Sequence, residues 1–240
     1  MSDAVPQIVR ASAIKHTGRA ATPSEPKISL AGTSALLLNA GSERFEHGTQ
    51  RRVWAAARLA MRQAWVQEAT PGMNNLLVTF DPLEVDVSVA RQGLRDLWFA
   101  AEPSEVVGAE IHMEVVYGGP DGADLAGLAA HSGLAIDEVV RRHAAATYWV
   151  GAVGAMPGYP YMFGLDPALA WDRRSSPRPR LRAGAVTIGG VQAGIMPVDA
   201  PSGWHMIGRT ETCLFDPKSA TPSLLRPGDI VRFSVGGILA

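Results

Sequence analysis

The sequence predicts an α+β chain: a small open α/β sheet domain, followed by an all-β domain. Three observations carry this. Residues up to 118 alternate strand-like and helix-like patterns in the order β-α-β-α-β. Residues 119–147 hold two short helical patterns about Ser132-Gly133. From Tyr148 onward, glycines and prolines recur between short β-prone runs, the texture of a closed or sandwiched β domain of about 90 residues. The organisation expected for the 240 residues is a solvated tail over 1–27, a small α/β domain over 28–118, a helical connector over 119–147 and a β domain over 148–240.

Each element has its own signal. "ISLAGTSALLL" (28–38) reads as strand, turn, strand. From about Arg44 to Trp65, Phe45, Val53, Trp54, Ala57, Leu59, Ala60, Met61 and Ala64 form a broad apolar face with arginines opposite, an amphipathic helix. Thr70-Pro71-Gly72 breaks the pattern. "NNLLVTFDP" is a short buried strand ended by Pro82. Residues 86–99 return to helix, with Asp86 or Ser88 as cap and Val89, Leu94, Leu97 and Trp98 inward. "AEIHMEVVYGG" alternates as a strand, completing a split βαβ arrangement with helices on one face. No Gly-rich phosphate fingerprint follows the first strand, which argues against a dinucleotide fold. The two helices over 119–147 carry too few basic residues for DNA binding and read as a connector. "LLRPGDIVRFSV" is a tight turn at Pro227-Gly228 feeding a last strand.

Composition narrows the function. Hydrophobic residues make up 47% and charged residues 19%, an ordinary folded protein. A net charge of −1, with no basic block, gives no case for nucleic acid or an anionic membrane. The lysines are Lys15, Lys27 and Lys218, and no GxxxxGK[ST] pattern occurs. Cys213 is the single cysteine, so an intrachain disulfide and a cysteine zinc cluster are excluded. In an apolar, strand-like run it reads as a buried structural thiol. The histidines show no HxH or HExxH spacing, so no metal is expected from this chain. No run approaches the roughly 18–20 apolar residues of a membrane span. The N-terminus lacks a signal-peptide core, and a reducing cytoplasm is the simplest setting.

One loop stands out: "GAMPGYPYMFGLD" carries two prolines, three glycines and two tyrosines with no helix or strand period. It begins a set of motifs. "HAAATYWVGAVGAMPGYPYMFGLDPAL", "SSPRPRLRAGAVTIGGVQAGIMPVDAPSGWHMIGRT" and "LFDP…LLRPGDIVRF" occur in that order. Together they resemble the allophanate hydrolase subunit 1 family, whose relatives include the B-type component of ATP-dependent 5-oxoprolinase and a sporulation-kinase inhibitor. The same unit forms part of the carboxyltransferase region of biotin-dependent urea carboxylase (subdomains C and D). The resemblance runs from about residue 28 to 235.

The resemblance implies a small α/β domain followed by a cyclophilin-like β-barrel. It implies an obligate homologous partner (subunit 2, the C-type component), an additional A-type component, and ATP-driven opening of 5-oxoproline to glutamate, with ATP held by this chain or its partner. It leaves two other readings open: a component of an allophanate hydrolase or of a biotin-dependent urea or amide carboxylase, and a non-catalytic regulator that binds a kinase. A cyclophilin-like shape alone implies no prolyl isomerase activity. His143 and Tyr148 match the family's His-x4-Tyr. Pro157, Gly158, Tyr161, Gly164 and Leu165 match its loop, with Tyr159 where Phe is usual. Gly184, Gln192, Gly194 and Pro197 match its hairpin, and Gly203-Trp204 with Ile207 to Thr210 match its last block. Departures fall at Ala155, Arg182, Ala185, Ala193, Met196 and Ser202, several of them removing a hydroxyl or a ring.

The residue chemistry is compatible with an amide-like substrate. Gln192 offers a donor and an acceptor to a planar amide, or simply caps a turn. Arg209 can clamp a carboxylate or phosphate, or form a rim salt bridge. His143 is a candidate general base, or a cation favoured at a helix C-terminus. These three are the catalytic candidates. Pro157, Gly158 and Tyr161, with Gln192 and Arg209, are the substrate-binding candidates. Trp204 reads as core. Arg173, Arg174, Arg178, Arg180 and Arg182 read as a solvated flank, or as a surface for an acidic partner or nucleotide.

Overall fold

The computed structural model describes residues 8–10, 23–41, 45–103 and 108–239. Apart from 8–10 and 23–27, the expected tail lies outside them. The described chain divides into two compact units, one over Ser12–Val107 and one joining Met1–Ala11 to Gly108–Ala240.

Strand β1 (Ile8–Arg10) belongs to the second unit. The first unit begins with β2 (Lys27–Leu30) and β3 (Ala35–Asn39), the expected strand-turn-strand. Helix α1 (His47–Ala60) follows, then β4 (Glu68–Gly72), β5 (Asn75–Thr79) and helix α2 (Val87–Ala100). The sheet order is β2-β3-β5-β4, antiparallel throughout. Leu36, Leu38, Leu76 and Val78 bury one face of it together with Val53, Ala56 and Ala60 of α1 and Ala90, Leu94 and Trp98 of α2. Asp86 caps α2, its side chain accepting from the Ser88 N–H at 2.7 Å. At the other end, the buried Arg52 guanidinium donates to the carbonyls of Trp98 and Ala101 and lies over the Trp98 ring. A cation there satisfies carbonyls that the helix itself leaves without partners. Helix α1 stops at Ala60, short of Trp65. Beyond it the backbone tightens into three-residue turns, Gln63 N–H donating to the Ala60 carbonyl.

Two expectations for this unit are corrected. Thr70-Pro71-Gly72 is not only a breaker: it lies in edge strand β4, where a missing N–H costs no ladder bond. The strand "AEIHMEVVYGG" forms as β6 (Ala109–Gly118), but it pairs in the second unit's sheet, not the first. The small sheet is therefore a four-stranded antiparallel one, without the split βαβ crossing.

The second unit continues with α3 (Leu125–Ser132), α4 (Ile136–Ala145), β7 (Tyr148–Val153), β8 (Pro160–Phe163), β9 (Arg178–Leu181), β10 (Ala185–Gly189), β11 (Gln192–Ile195), β12 (Ala200–Ser202), β13 (His205–Arg209) and β14 (Ile230–Leu239). The chain of pairings β6-β13-β10-β11-β8-β7-β14 returns from β14 to β6, which closes it into a seven-stranded barrel. β1 pairs with β6 at Ile111, Glu110 and Ala109, and β9 with β12 forms a separate ribbon. Ile111, Met113, Val115, Val150, Met162, Val186, Ile188, Ala193, Ile195, Ile207 and Val231 fill one continuous core. Leu125, Leu128, Val139 and Val140 of the two helices join it. The helices are thus part of the barrel's packing, not merely a connector.

"TCLFDP" forms no strand beyond an isolated bridge from Phe215 to Ser223, and Cys213 is exposed. The expected buried thiol is corrected: Leu214 turns inward and takes the core position, so Cys213 faces out.

His143 sits in this core, completely buried. Its Nδ1 is hydrogen-bonded with the Tyr117 hydroxyl at 2.8 Å, its ring stacks on Phe233, and the Tyr148 hydroxyl donates to its backbone carbonyl at 2.9 Å. Nε2 has no hydrogen-bond partner among the described residues. Burial pushes its pKa down to about 3, so the imidazole is neutral at physiological pH. The structure thus places this residue in packing, away from any surface where a base would meet substrate.

Three expected outcomes test these placements. Below an unfolded-state pKa of 6.5, the unfolded chain takes up a proton on His143 that the folded chain refuses. The residue should remove about 2 kcal/mol of stability between pH 7 and pH 5. Urea midpoints at the two pH values should show a smaller pH loss in His143→Phe than in the unsubstituted protein; equal losses would refute this. Between β7 and β8, Ala155 holds a left-handed φ of 61°. Ala155→Gly should stabilise by about 1 kcal/mol. Gly158→Ala should destabilise, because φ is 78° and a Cβ would lie 2.9 Å from Phe215 Cβ. Thermal melts read both.

Candidate functional site

The site is assembled on the barrel face opposite the core. In β10 and β11, Val186, Ile188, Ala193 and Ile195 enter the core. By strand alternation, Thr187, Gly189, Gln192 and Gly194 face the other way. The pairings Gly189↔Gln192 and Thr187↔Gly194 bring these four side by side. Two of them are glycines, and large rings lie directly on them. A Cβ at Gly189 would stand 2.5 Å from Trp204 Cδ2, and one at Gly194 would stand 2.4 Å from the Tyr159 hydroxyl. Any side chain at either position would displace a ring.

The rings come from two connections. The β7–β8 loop is held by backbone bonds from Gly154 N–H to the Tyr159 carbonyl (3.0 Å) and from Tyr159 N–H to the Met156 carbonyl (3.1 Å). It delivers Tyr159 and Tyr161. The β12–β13 connection delivers Trp204. The three rings meet edge to face, with centroids 5.1 Å (Tyr159–Tyr161), 5.8 Å (Tyr159–Trp204) and 6.1 Å (Tyr161–Trp204) apart, a favourable aromatic geometry. Leu181, Ala185, Met196 and Met206 pack the same cluster.

Polarity is concentrated at a few atoms. Burial pushes the Tyr159 phenol well above its ordinary range, against a hydrogen bond with Thr187 and the charge of Arg173. Tyr159 is therefore neutral. Tyr161 is half-buried. Gln192 is half-buried beside Gly189 and hence beside the Trp204 ring. The Arg173 guanidinium stands over Trp204, 5.6 Å from the ring centroid.

Asp124 holds one flank. Its buried carboxylate accepts from Arg178 Nη1 (2.5 Å) and Nη2 (2.9 Å), Arg174 Nη1 (3.1 Å) and the Met206 N–H (2.8 Å). Burial pushes this carboxyl up, but the bonds from Arg178 and Met206 and the charges of Arg178 and Arg174 outweigh it and hold it below the ordinary range. Beside it, His205 donates from Nε2 to the Asp172 carbonyl at 2.7 Å and stacks on Trp171 at 3.6 Å.

The expected site residues are thus dispersed. Tyr161 and Gln192 share the ring-covered face. Gly158 is buried against Leu214 and Phe215 in the loop that carries the tyrosines, and Pro157 is exposed on its outside. Arg209 pairs with Ala185, at the other end of β10 from Gly189, roughly 13 Å along the strand. It donates to the Ala183 carbonyl (3.1 Å) and pairs with Glu211 (2.9 Å). His143 lies in the core. Tyr159, Thr187 and Arg173 adjoin this face and were not among the site candidates; Trp204, read as core, is buried, as are Tyr159 and Thr187. One signal was present: Thr187 is the single hydroxyl in an otherwise apolar strand, opposite a tyrosine standing where phenylalanine is usual. The flank reading is corrected for Arg174 and Arg178, which are fixed on a buried carboxylate.

Among the described residues, no group of three or more His, Cys, Asp or Glu is placed to hold a metal ion, and no helix is long and apolar enough to cross a membrane.

Known proteins resemble this chain over most of its length. The 5-oxoprolinase B-type component of Escherichia coli O157:H7 is 43% identical over 77% of this chain and 85% of that protein. The protein of the same name from Haemophilus influenzae is 40% identical over 79% of this chain and 88% of that protein. The K. lactis urea amidolyase structure has the same fold, with a TM-score of 0.78 at 18% identity; the match covers 92% of this chain and 15% of that much longer one. Residues 26–225 match the family described as carboxyltransferase domain, subdomain C and D, and the chain belongs to that family.

Proposed function

We propose that this chain is the B-type component of a 5-oxoprolinase, converting 5-oxoproline, ATP and water to glutamate, ADP and phosphate together with partner proteins. The observation that carries this reading is the pair Tyr161 and Gln192, half-buried at the rim of the buried Tyr159–Trp204 cluster. A flat lactam ring can lie against the Tyr161 ring, while the Gln192 amide and the Tyr161 hydroxyl address its C=O and N–H. The names of the relatives that match over most of the chain support the same substrate.

The face is built from one side only. Tyr161 and Gln192 are half-buried and Pro157 is exposed. A homologous partner would supply the opposing wall and exclude water there. ATP belongs, in this reading, to the partner side or to the A-type component, since the sequence contains no phosphate-cradling lysine loop. The setting is cytoplasmic, where ATP and reduced thiols coexist. Arg209 and His143 are not assigned to chemistry. The likeness to urea amidolyase concerns the fold, so a carboxyltransferase reaction is not favoured.

In the reconstituted complex, Gln192→Ala and Tyr161→Phe should each slow 5-oxoproline-dependent ATP hydrolysis by about tenfold, the loss of one hydrogen bond to a reacting group. Assembly, read by size-exclusion chromatography, should be unchanged. Unaltered turnover in both variants, or an assembled wild-type complex with no response to 5-oxoproline, would overturn the reading.

A further inference from the structure

The arginines between 173 and 182 differ in what they face. Arg174 and Arg178 are bound to Asp124, Arg180 to Asp199 and Arg182 to Asp121. Arg173 alone has no carboxylate partner among the described residues. Its one recorded neighbour is the Trp204 ring. A ring leaves the guanidinium's charge uncompensated, and its N–H donors remain available.

This placement is imposed by the backbone on both sides. Before Arg173, Trp171 exchanges backbone bonds with Gly190 (3.1 and 2.8 Å), and its ring is stacked on His205. After it, Arg174 donates from its N–H to the Gly203 carbonyl at 2.8 Å and anchors its side chain on buried Asp124. Gly203 immediately precedes Trp204, so the cation and the ring it covers hang from one bonded unit. The Trp204 ring under Arg173 in turn meets Tyr159 edge to face at 5.8 Å and Tyr161 at 6.1 Å, so the exposed guanidinium lies beside the aromatic cluster.

From this geometry we infer that Arg173, exposed over the buried Trp204 ring, recognises the carboxylate of a small amide-bearing acid lying against Tyr161 and Gln192. The inference rests on the proposed function and deepens it. Tyr161 and Gln192 would hold the lactam, and Arg173 would select the acid over a neutral lactam. A guanidinium fits a carboxylate through two parallel N–H bonds, and it fits a phosphate as well. The test therefore separates substrate from ATP.

The experiment uses the reconstituted complex, with KM and kcat measured for both 5-oxoproline and ATP. Arg173→Gln should raise the KM for 5-oxoproline by about tenfold or more, with kcat and the KM for ATP little changed. Arg173→Lys should recover part of the loss. Arg180→Gln, an exposed arginine on Asp199, should change neither constant. A general folding defect would not separate the two KM values.

A rise in the KM for ATP in place of that for 5-oxoproline overturns the inference, as does loss of assembly in Arg173→Gln. If Arg173→Gln is silent while Gln192→Ala and Tyr161→Phe slow turnover, the inference falls and the proposed function stands. If all three variants are silent, the face is not the substrate site and both fall.

Discussion

The pairing of β6 with β14 is the constraint on which the second unit depends. These strands are separated by more than a hundred residues of chain, yet they run parallel from Glu110↔Ile230 to Gly118↔Leu239, with one register shift between Val235 and Gly237. Every other strand pair in the barrel is antiparallel and can be seeded by a nearer neighbour. This one brings the last strand back to the first and removes the open edges. It also needs the backbones to come very close. A Cβ at Gly118 would lie 2.2 Å from the Leu239 carbonyl oxygen; on the other side of β6, one at Gly208 of β13 would lie 2.7 Å from that of Val116. Closure turns residues 148–239 and the strand before them into one core, and only a closed core gives β10 and β11 a defined outer face.

That face is organised by a second constraint, the buried Asp124 carboxylate. An isolated buried charge is costly, and its neutralisation by two arginines and a backbone N–H is what makes the position tenable. The arrangement links the start of α3, the segment 174–178 and strand β13 through a single group. Its structural consequence exceeds its electrostatic one, because it fixes where the arginine-rich segment runs relative to Trp204. Arg174 and Arg178 are consumed by this task. That separation of roles within one short run is why a basic cluster need not act as a single basic patch.

Much of this was legible in the sequence, and the exceptions have physical reasons. Alternation and helical periodicity located β3, β5, β6, α1 and α2, and the Asp86 cap set the start of α2. Strand β4 was hidden because proline and glycine signal a break, and only an edge position makes them compatible with a ladder. The membership of β6 was hidden because alternation reports a buried face, not which sheet supplies it. Cys213 was misread because a run of apolar letters around Leu214 does not say which of two neighbours turns inward. The site was legible in its glycines and aromatics but not in its charges. Nothing in the order of the arginines says which will meet Asp124, a residue some fifty positions earlier in the chain. His143 illustrates the opposite error: a histidine near a family motif suggests chemistry, yet its neighbours Tyr117, Tyr148 and Phe233 make it a packing residue.

The same geometry changes the meaning of the positions where this sequence departs from its family's usual pattern. Ala193 faces the barrel core, opposite Met162 of β8, so a hydroxyl there would not point at the aromatic face. Ala185 and Met196 are buried in the cluster beneath Tyr159, where they set its packing and not its hydrogen bonds. Arg182 is engaged with Asp121, and Ala155 lies on the exposed outside of the β7–β8 loop. None of these positions supplies a polar group to the face formed by Tyr161, Gln192 and Arg173. Of these positions only Ala185 and Met196 pack against the rings, and there a packed interior transmits changes in side-chain volume. They therefore act on the shape of the surface against which a ligand lies, while the groups that would bind it chemically stay in place.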